Sequence, residues 1–113
     1  MEQNKNVMRI FDNVPIRDNA IHQPDPHMWV NGFEIQHLVF GIINDLDVNV
    51  SVQPVGRAGA AQGSLGSAST ITAHSEGILP LNIQSYWAPY ISVTVQAAST
   101  PSSGRITIYA IWQ

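Results

Sequence analysis

The chain has 113 residues, a formal net charge of −3 and charged side chains at only 12% of positions, about half the usual share. This length supports one domain with one core, and the five scattered Lys and Arg residues argue against nucleic acid as a partner, because phosphate binding needs clustered cations. The absence of cysteine excludes disulfides, thiolate metal sites and thiol nucleophiles, and it fits assembly in a reducing cytoplasm.

Residues 1–33 show no sustained hydrophobic period. Two prolines flank Asp25, hold the chain extended and block a helix. The polar start also lacks the pattern of a secretory signal peptide. We therefore expect an N-terminal arm over residues 1–33, lying on the domain or on a neighbour, with a frayed terminus as the alternative. The β-sandwich domain is then expected over residues 34–113.

The segment 34–53 predicts a first hairpin. Residues 34–43 become apolar on both faces, as expected of a central strand covered on two sides. The apolar run from Leu38 to Ile43 is too short to span a bilayer, so no membrane partner is expected. Turn formers follow at 44–47, and residues 48–53 then alternate between valine and polar side chains.

Residues 56–83 contain a glycine-rich segment followed by two short segments that could be strands. Residues 56–68 are rich in glycine and small side chains, which predicts a long mobile loop. Residues 69–73 predict a strand and residues 74–77 a turn. The segment 78–83 is apolar but interrupted by Pro80, as in an edge strand or an extended connector.

The last quarter predicts a long antiparallel hairpin. Its first strand, 90–96, alternates strictly between apolar and polar residues, its second strand runs through 105–112, and residues 99–104 have the composition of a reversing loop. The positions expected to face inward are Ile91, Val93, Val95, Ile106, Ile108, Ala110 and Trp112. Short strands joined by turns predict an all-β, antiparallel sandwich of jelly-roll type with six to eight strands.

Several large side chains are candidates for an interface. Tyr109 and Ile111 fall on the outward face of the last strand and need cover, either from a partner or from a second sheet of the same subunit. Trp29, Tyr86, Trp87 and Tyr90 fit subunit-interface or core positions, or alternatively a platform on which sugars stack.

Other chemistry has weaker support in the sequence. His22 and His27 bracket Asp25, and His37 and His74 could complete a metal site, but the spacing is unlike that of zinc sites. The oxygen-rich turn at 44–49 could hold calcium, yet such residues at turns usually bond their own backbone. No serine lies in a Gly-x-Ser-x-Gly elbow. We expect no cofactor and no catalysis.

One resemblance covers about residues 38–113. The segment 43–53 (INDLDVNVSVQ), the segment 86–91 (YWAPYI), the loop 100–104 (TPSSG) and a last strand ending in aromatics resemble small β-sandwich virion proteins of tailed bacteriophages, of the capsid-decoration and accessory kind. The resemblance implies a protein without catalysis, often trimeric, that binds the outside of an assembled shell. Its partners would be the major capsid protein or another virion protein and copies of itself. Its location would be the virion, assembled in the host cytoplasm. A carbohydrate- or host-receptor-binding module is the alternative.

Overall fold

The computed structural model describes residues 6–113. The described residues form ten β-strands and one 3₁₀ turn, and they contain no helix long and apolar enough to cross a membrane. The strands are β1 (Asn6–Val14), β2 (Ile21–His22), β3 (Val30–Asn31), β4 (Leu38–Asn44), β5 (Val50–Ala58), β6 (Ala61–Ser64), β7 (Ser69–Ile71), β8 (Ser75–Leu81), β9 (Tyr90–Ala97) and β10 (Ile106–Trp112).

The strands form two antiparallel sheets around one core. Sheet A has the order β1-β10-β4-β8. Sheet B is built on the pair β9-β5, with β2 and β3 beside β9 and with β6 and β7 beside β5. The fully buried core side chains come from both sheets, among them Phe40, Ile42, Val52, Ile91, Val93, Val95, Ile106 and Ile108. The predicted all-β sandwich is confirmed. It has more strands than predicted because the shortest strands are too short to show an alternating pattern.

Both predicted hairpins are wrong, because their strands belong to different sheets. β4 lies in sheet A and β5 in sheet B, while β9 lies in sheet B and β10 in sheet A. Alternation shows only that one face of a strand meets the core. That holds equally for neighbours in one sheet and for strands that face each other across a sandwich. The inward faces themselves are as predicted, with Trp112 partly buried against the core.

The segment predicted to be an arm is part of the sandwich. β1 pairs with β10 in sheet A, and β2 and β3 pair with β9 in sheet B. Ile10, Phe11 and Ile16 are buried in the core. The pattern was hidden because β1 has register shifts on both sides of Phe11, which interrupt the period of two. Residues 1–5 of the predicted arm lie outside the described residues.

The segment 56–68 contains an ordered hairpin where a mobile loop was predicted. β5 continues to Ala58 and β6 returns from Ala61 along it. Gly59 supplies the left-handed turn conformation with φ of 62°. A Cβ on Gly56 would lie 2.5 Å from the Cβ of Ala88, so the small side chains reflect close packing at this point.

Hydrogen bonds stabilise two loops that connect the sheets, the loop between β4 and β5 and the loop between β9 and β10. The buried Asn44 amide group donates to three backbone carbonyl groups and accepts from one backbone N–H. The Asp47 carboxylate accepts from the backbone N–H and from the hydroxyl of Ser102. Gly104 has φ of 93°, and a Cβ there would lie 1.8 Å from the carbonyl oxygen of Asp45. These turn formers therefore hold a crossing between sheets rather than a hairpin.

Candidate functional site

The outer face of sheet A is apolar across all four strands. Paired residues form three rows over the strands, namely Val7, Ile111, Val39 and Pro80, then Arg9, Tyr109, Gly41 and Ile78, then Thr107, Ile43 and Glu76. Ile78 is 73% exposed, and Ile111 is 42% exposed. We call the set Val7, Val39, Gly41, Ile43, Ile78, Pro80, Tyr109 and Ile111 the apolar face. Within these rows the charged residues lie on the two edge strands, Arg9 on β1 and Glu76 on β8.

A notch opens in the middle of the apolar face. It has a volume of about 460 Å³, and Gly41, Ile78 and Tyr109 contribute to its lining. A Cβ on Gly41 would meet no atom within 4 Å, so packing in the described chain does not require glycine there. Glycine inside a strand often marks a close approach by another surface. A larger recess of about 730 Å³ adjoins the face and shares Val39, Pro80 and Ile111 with it.

The structure brings only part of the predicted interface together. Tyr109 and Ile111 lie on the apolar face, as predicted for outward positions of β10. The sequence reasoning missed Val7, Ile43 and Ile78. A signal was present in β4, where positions 39, 41 and 43 share one face, but the apolar character of both faces was interpreted as burial on two sides.

Of the interface, core and sugar-platform positions considered for Trp29, the structure shows a core position. Trp29 is only 9% exposed, and the Arg57 guanidinium carbon lies 4.4 Å from the centroid of its ring. The same carbon lies 5.9 Å from the ring centroid of Tyr90, which is opposite Arg57 in the β9-β5 pair. Trp29 is therefore a packing residue beneath a cation, while Tyr90 remains about half exposed.

Trp87 forms an exposed aromatic pair with Phe33, a residue that the sequence analysis did not select. Their ring centroids are 5.0 Å apart in an edge-to-face arrangement. The Trp87 indole N–H donates to the carbonyl oxygen of Gly32 at 2.8 Å. A Cβ on Gly32 would lie 1.9 Å from the carbonyl oxygen of Ala88, so this close approach requires glycine. Tyr86, which precedes Trp87 in the chain, is 45% exposed.

A second recess, of about 400 Å³, lies on the outer face of sheet B. We call it the glutamine groove, and it is lined by Ile21, Gln23, Ser51, Gln53, Val55, Gln62, Gly63, Ser64, Ala68, Thr94 and Gln96. None of these lining residues carries a charge. Thr94 is only 7% exposed.

The residues considered as metal ligands do not gather at one point. No group of three or more His or acidic side chains among residues 6–113 is placed to hold a metal ion. Nε2 of His22 lies 2.7 Å from an oxygen of Asp18, and Nδ1 of His74 lies 3.0 Å from an oxygen of Asp45.

Two exposed carboxyl groups have a shifted pKa. The hydrogen bond with His22, and then the one from the backbone N–H of Ala20, lower the pKa of Asp18. The hydrogen bonds from the hydroxyl and the backbone N–H of Ser102 lower the pKa of Asp47. Both shifts arise from bonds that shape loops.

Comparison with known proteins gives little guidance. No protein-family model matches the chain, and no curated protein sequence matches it. A crystal structure of PirA aligns with 100% of this chain and 97% of its own, at 11% identity and a TM-score of 0.49. At that similarity, neither fold nor function is inferred from it.

Proposed function

We propose that this protein is a non-enzymatic structural virion component, and most specifically a capsid decoration protein that binds the outside of a phage shell. The observation that supports an assembly role is the apolar face, which the described residues leave open to solvent. Large exposed apolar patches on soluble proteins commonly mark contacts with other proteins. The virion assignment itself rests on the resemblance of residues 38–113 to phage accessory proteins.

The size of the apolar face is informative about the kind of contact. Four strands at about 4.8 Å spacing and five residues at about 3.4 Å rise, as from Val39 to Ile43, give a projected area of roughly 330 Å². A stable pairwise interface usually buries about 800 Å² on each partner. The apolar face alone therefore suits a contact that is weak for one copy, unless the adjoining recess is buried with it.

Weak contacts are effective when many copies bind one ordered surface. Each copy that binds only the closed seam between shell proteins stabilises the closed state. Linked copies raise the effective concentration of every further contact. The partners are the major capsid protein or another virion protein, together with copies of this chain. The resemblance favours a trimer.

The test is co-sedimentation of the purified protein with empty shells of the tailed phage whose genome carries the coding sequence. We expect saturable binding and a higher temperature of shell rupture. A protein that stays in the supernatant at high micromolar concentration would refute the decoration role.

An observation on sheet B favours a second candidate function, carbohydrate binding. The glutamine groove is concave, uncharged and rich in amides and hydroxyls. Because it lies on the other sheet from the apolar face, both functions are compatible in one virion protein.

A further inference from the structure

We propose that the glutamine groove is a binding site for a neutral oligosaccharide, with the ligand lying along β5 and β9. The proposal gives the second candidate function a defined site and a ligand class, and it rests on that function rather than on shell binding. It differs from the platform predicted from sequence, which used the aromatics between Tyr86 and Tyr90.

The chemistry of the groove selects the ligand class. Its hydrogen-bonding side chains are four glutamines, two serines and one threonine, with no Lys, Arg, Asp or Glu. Such a set offers neither the cations that a phosphate or sulfate needs nor the carboxylates that a metal ion prefers. An amide presents a donor and an acceptor side by side, which suits the adjacent hydroxyl groups of a sugar.

The glutamine side chains are held in place before any ligand arrives. Gln53 Nε2 donates to the carbonyl oxygens of Pro54 and Gly66, at 2.8 and 3.2 Å. Gln62 Nε2 donates to Oε1 of Gln23 at 2.9 Å, and this bond joins the two walls of the groove.

The fourth glutamine is fixed in a similar way, because Gln96 Nε2 donates to the carbonyl oxygen of Asn19 at 3.1 Å. The hydrogen bonds among residues 6–113 leave the Oε1 atoms of Gln53, Gln62 and Gln96 and the Nε2 of Gln23 available. Side chains already ordered in the free protein lose less entropy on binding.

Thr94 supplies an independent observation. It lines the groove, is only 7% exposed, and its hydroxyl takes part in no hydrogen bond among the described residues. In the described residues, every fully buried side-chain N or O atom has a hydrogen-bond partner. Because Oγ1 of Thr94 has none, this atom is not fully buried. The hydroxyl therefore reaches the groove, where a ligand hydroxyl can replace water.

The groove is elongated along β5. The outward positions of β5 that line it, Ser51, Gln53 and Val55, span about 13 Å at ~3.3 Å per residue. Arg57 and Tyr90 lie one outward step beyond Val55 and outside the groove, because Ser92, opposite Val55, is covered by Met28. A short oligosaccharide fits this length better than a single monosaccharide.

The experiment is an NMR titration of the ¹⁵N-labelled full chain with four neutral hexasaccharides: maltohexaose, cellohexaose, mannohexaose and chitohexaose. A heparin hexasaccharide serves as the charged control. We expect at least one neutral probe to shift amide resonances of β5, β9 and residues 62–68 in the high micromolar to millimolar range. We expect this binding to be insensitive to salt.

Two variants locate the site. Thr94→Val keeps the shape of the side chain and should weaken binding roughly fivefold, as for one lost hydrogen bond. Ser51→Tyr fills the floor and should abolish binding. Thr70→Val, on neighbouring β7 outside the groove, is the matched control and should bind like the parent protein.

Three outcomes would overturn the proposal. In the first, no neutral probe binds at 10 mM, on the order of the weakest measurable affinities. In the second, only heparin binds, and in the third, the shifts centre on Phe33 and Trp87 and persist in both groove variants. Shell co-sedimentation of Thr94→Val separates the two functions. It should equal that of the parent protein, so failure of glycan binding leaves the decoration role standing, and the reverse also holds.

Discussion

The two outer faces of the sandwich are covered in opposite ways. On sheet B, the chain's own preceding segment covers the outward-pointing Ser92. Ser92 is 0% exposed, and its hydroxyl donates to the carbonyl oxygen of Met28 at 2.8 Å. On sheet A, apolar residues that point outward stay exposed, including Ile43 and Ile111. The difference teaches that loop coverage, and not strand position alone, decides which outward residues are available to a partner.

The strongest test of this contrast places the same substitution on each face. Ile111→Asp puts a charge on the apolar face, and desolvating it in a contact costs several kcal/mol, so shell binding or self-association should fall at least about a hundredfold. Sedimentation velocity and shell co-sedimentation measure the change.

The matched control is Ile21→Asp on sheet B, where Ile21 is 58% exposed. It should leave assembly unchanged. Both variants should keep a cooperative thermal transition, because neither position is in the core. Equal loss in both, or in neither, would mean that the apolar face is not the assembly surface.

A second pair of variants compares two arginines that lie over aromatic rings. Arg57→Gln removes the cation over the buried Trp29 and should cost about 1 kcal/mol of unfolding free energy. Arg9→Gln affects an exposed cation 5.4 Å from the Tyr109 ring centroid, so its effect on stability should be smaller. Urea denaturation gives both values. Arg9→Gln alone should weaken assembly, and the opposite ranking in either assay would contradict this division of roles.

A third pair uses two glycines that both have open space at the Cβ position, Gly41 and Gly63. Each lies in a strand without a positive φ, so replacement by alanine should stabilise the monomer by about 0.5 kcal/mol. Only Gly41→Ala should weaken assembly, by a few-fold, because only Gly41 lies in the notch of the apolar face. Thermal melts and co-sedimentation test the two effects separately, and unchanged assembly in Gly41→Ala would show that the notch is not used.

The smallest effect concerns the loops between the sheets rather than either face. The hydrogen bonds from Ser102 lower the pKa of Asp47 in the folded state. Their contribution to stability is therefore complete above the ordinary aspartate pKa of about 3.9 and is lost as pH falls through the lower folded pKa. Thermal melts from pH 6 down to pH 2.5 should show the parent protein losing its advantage over Asp47→Asn. A constant gap between the two would contradict the assignment.

The alternation in the sequence was sufficient to predict the fold class and the inward residues of β9 and β10. It could not predict the sheet partners, because residues such as Val93 and Ile108 face the same core from opposite sheets. It also could not predict β1, whose register shifts break the period around Phe11. The outward position of Ile111 was predictable, but the coverage of Ser92 depended on a segment 64 residues away in sequence.

The position of β10 in sheet A has a consequence for synthesis of the protein. β10 is made after the other nine described strands, yet it lies between β1 and β4, and it pairs Trp112 with both Asn6 and Leu38. On the ribosome, β1 therefore lacks its strand partner until β10 has emerged. Long-range pairing of this kind makes folding slow and leaves strand edges open in the nascent chain. Sheet A, including its apolar outer face, is thus completed only after β10 has been made.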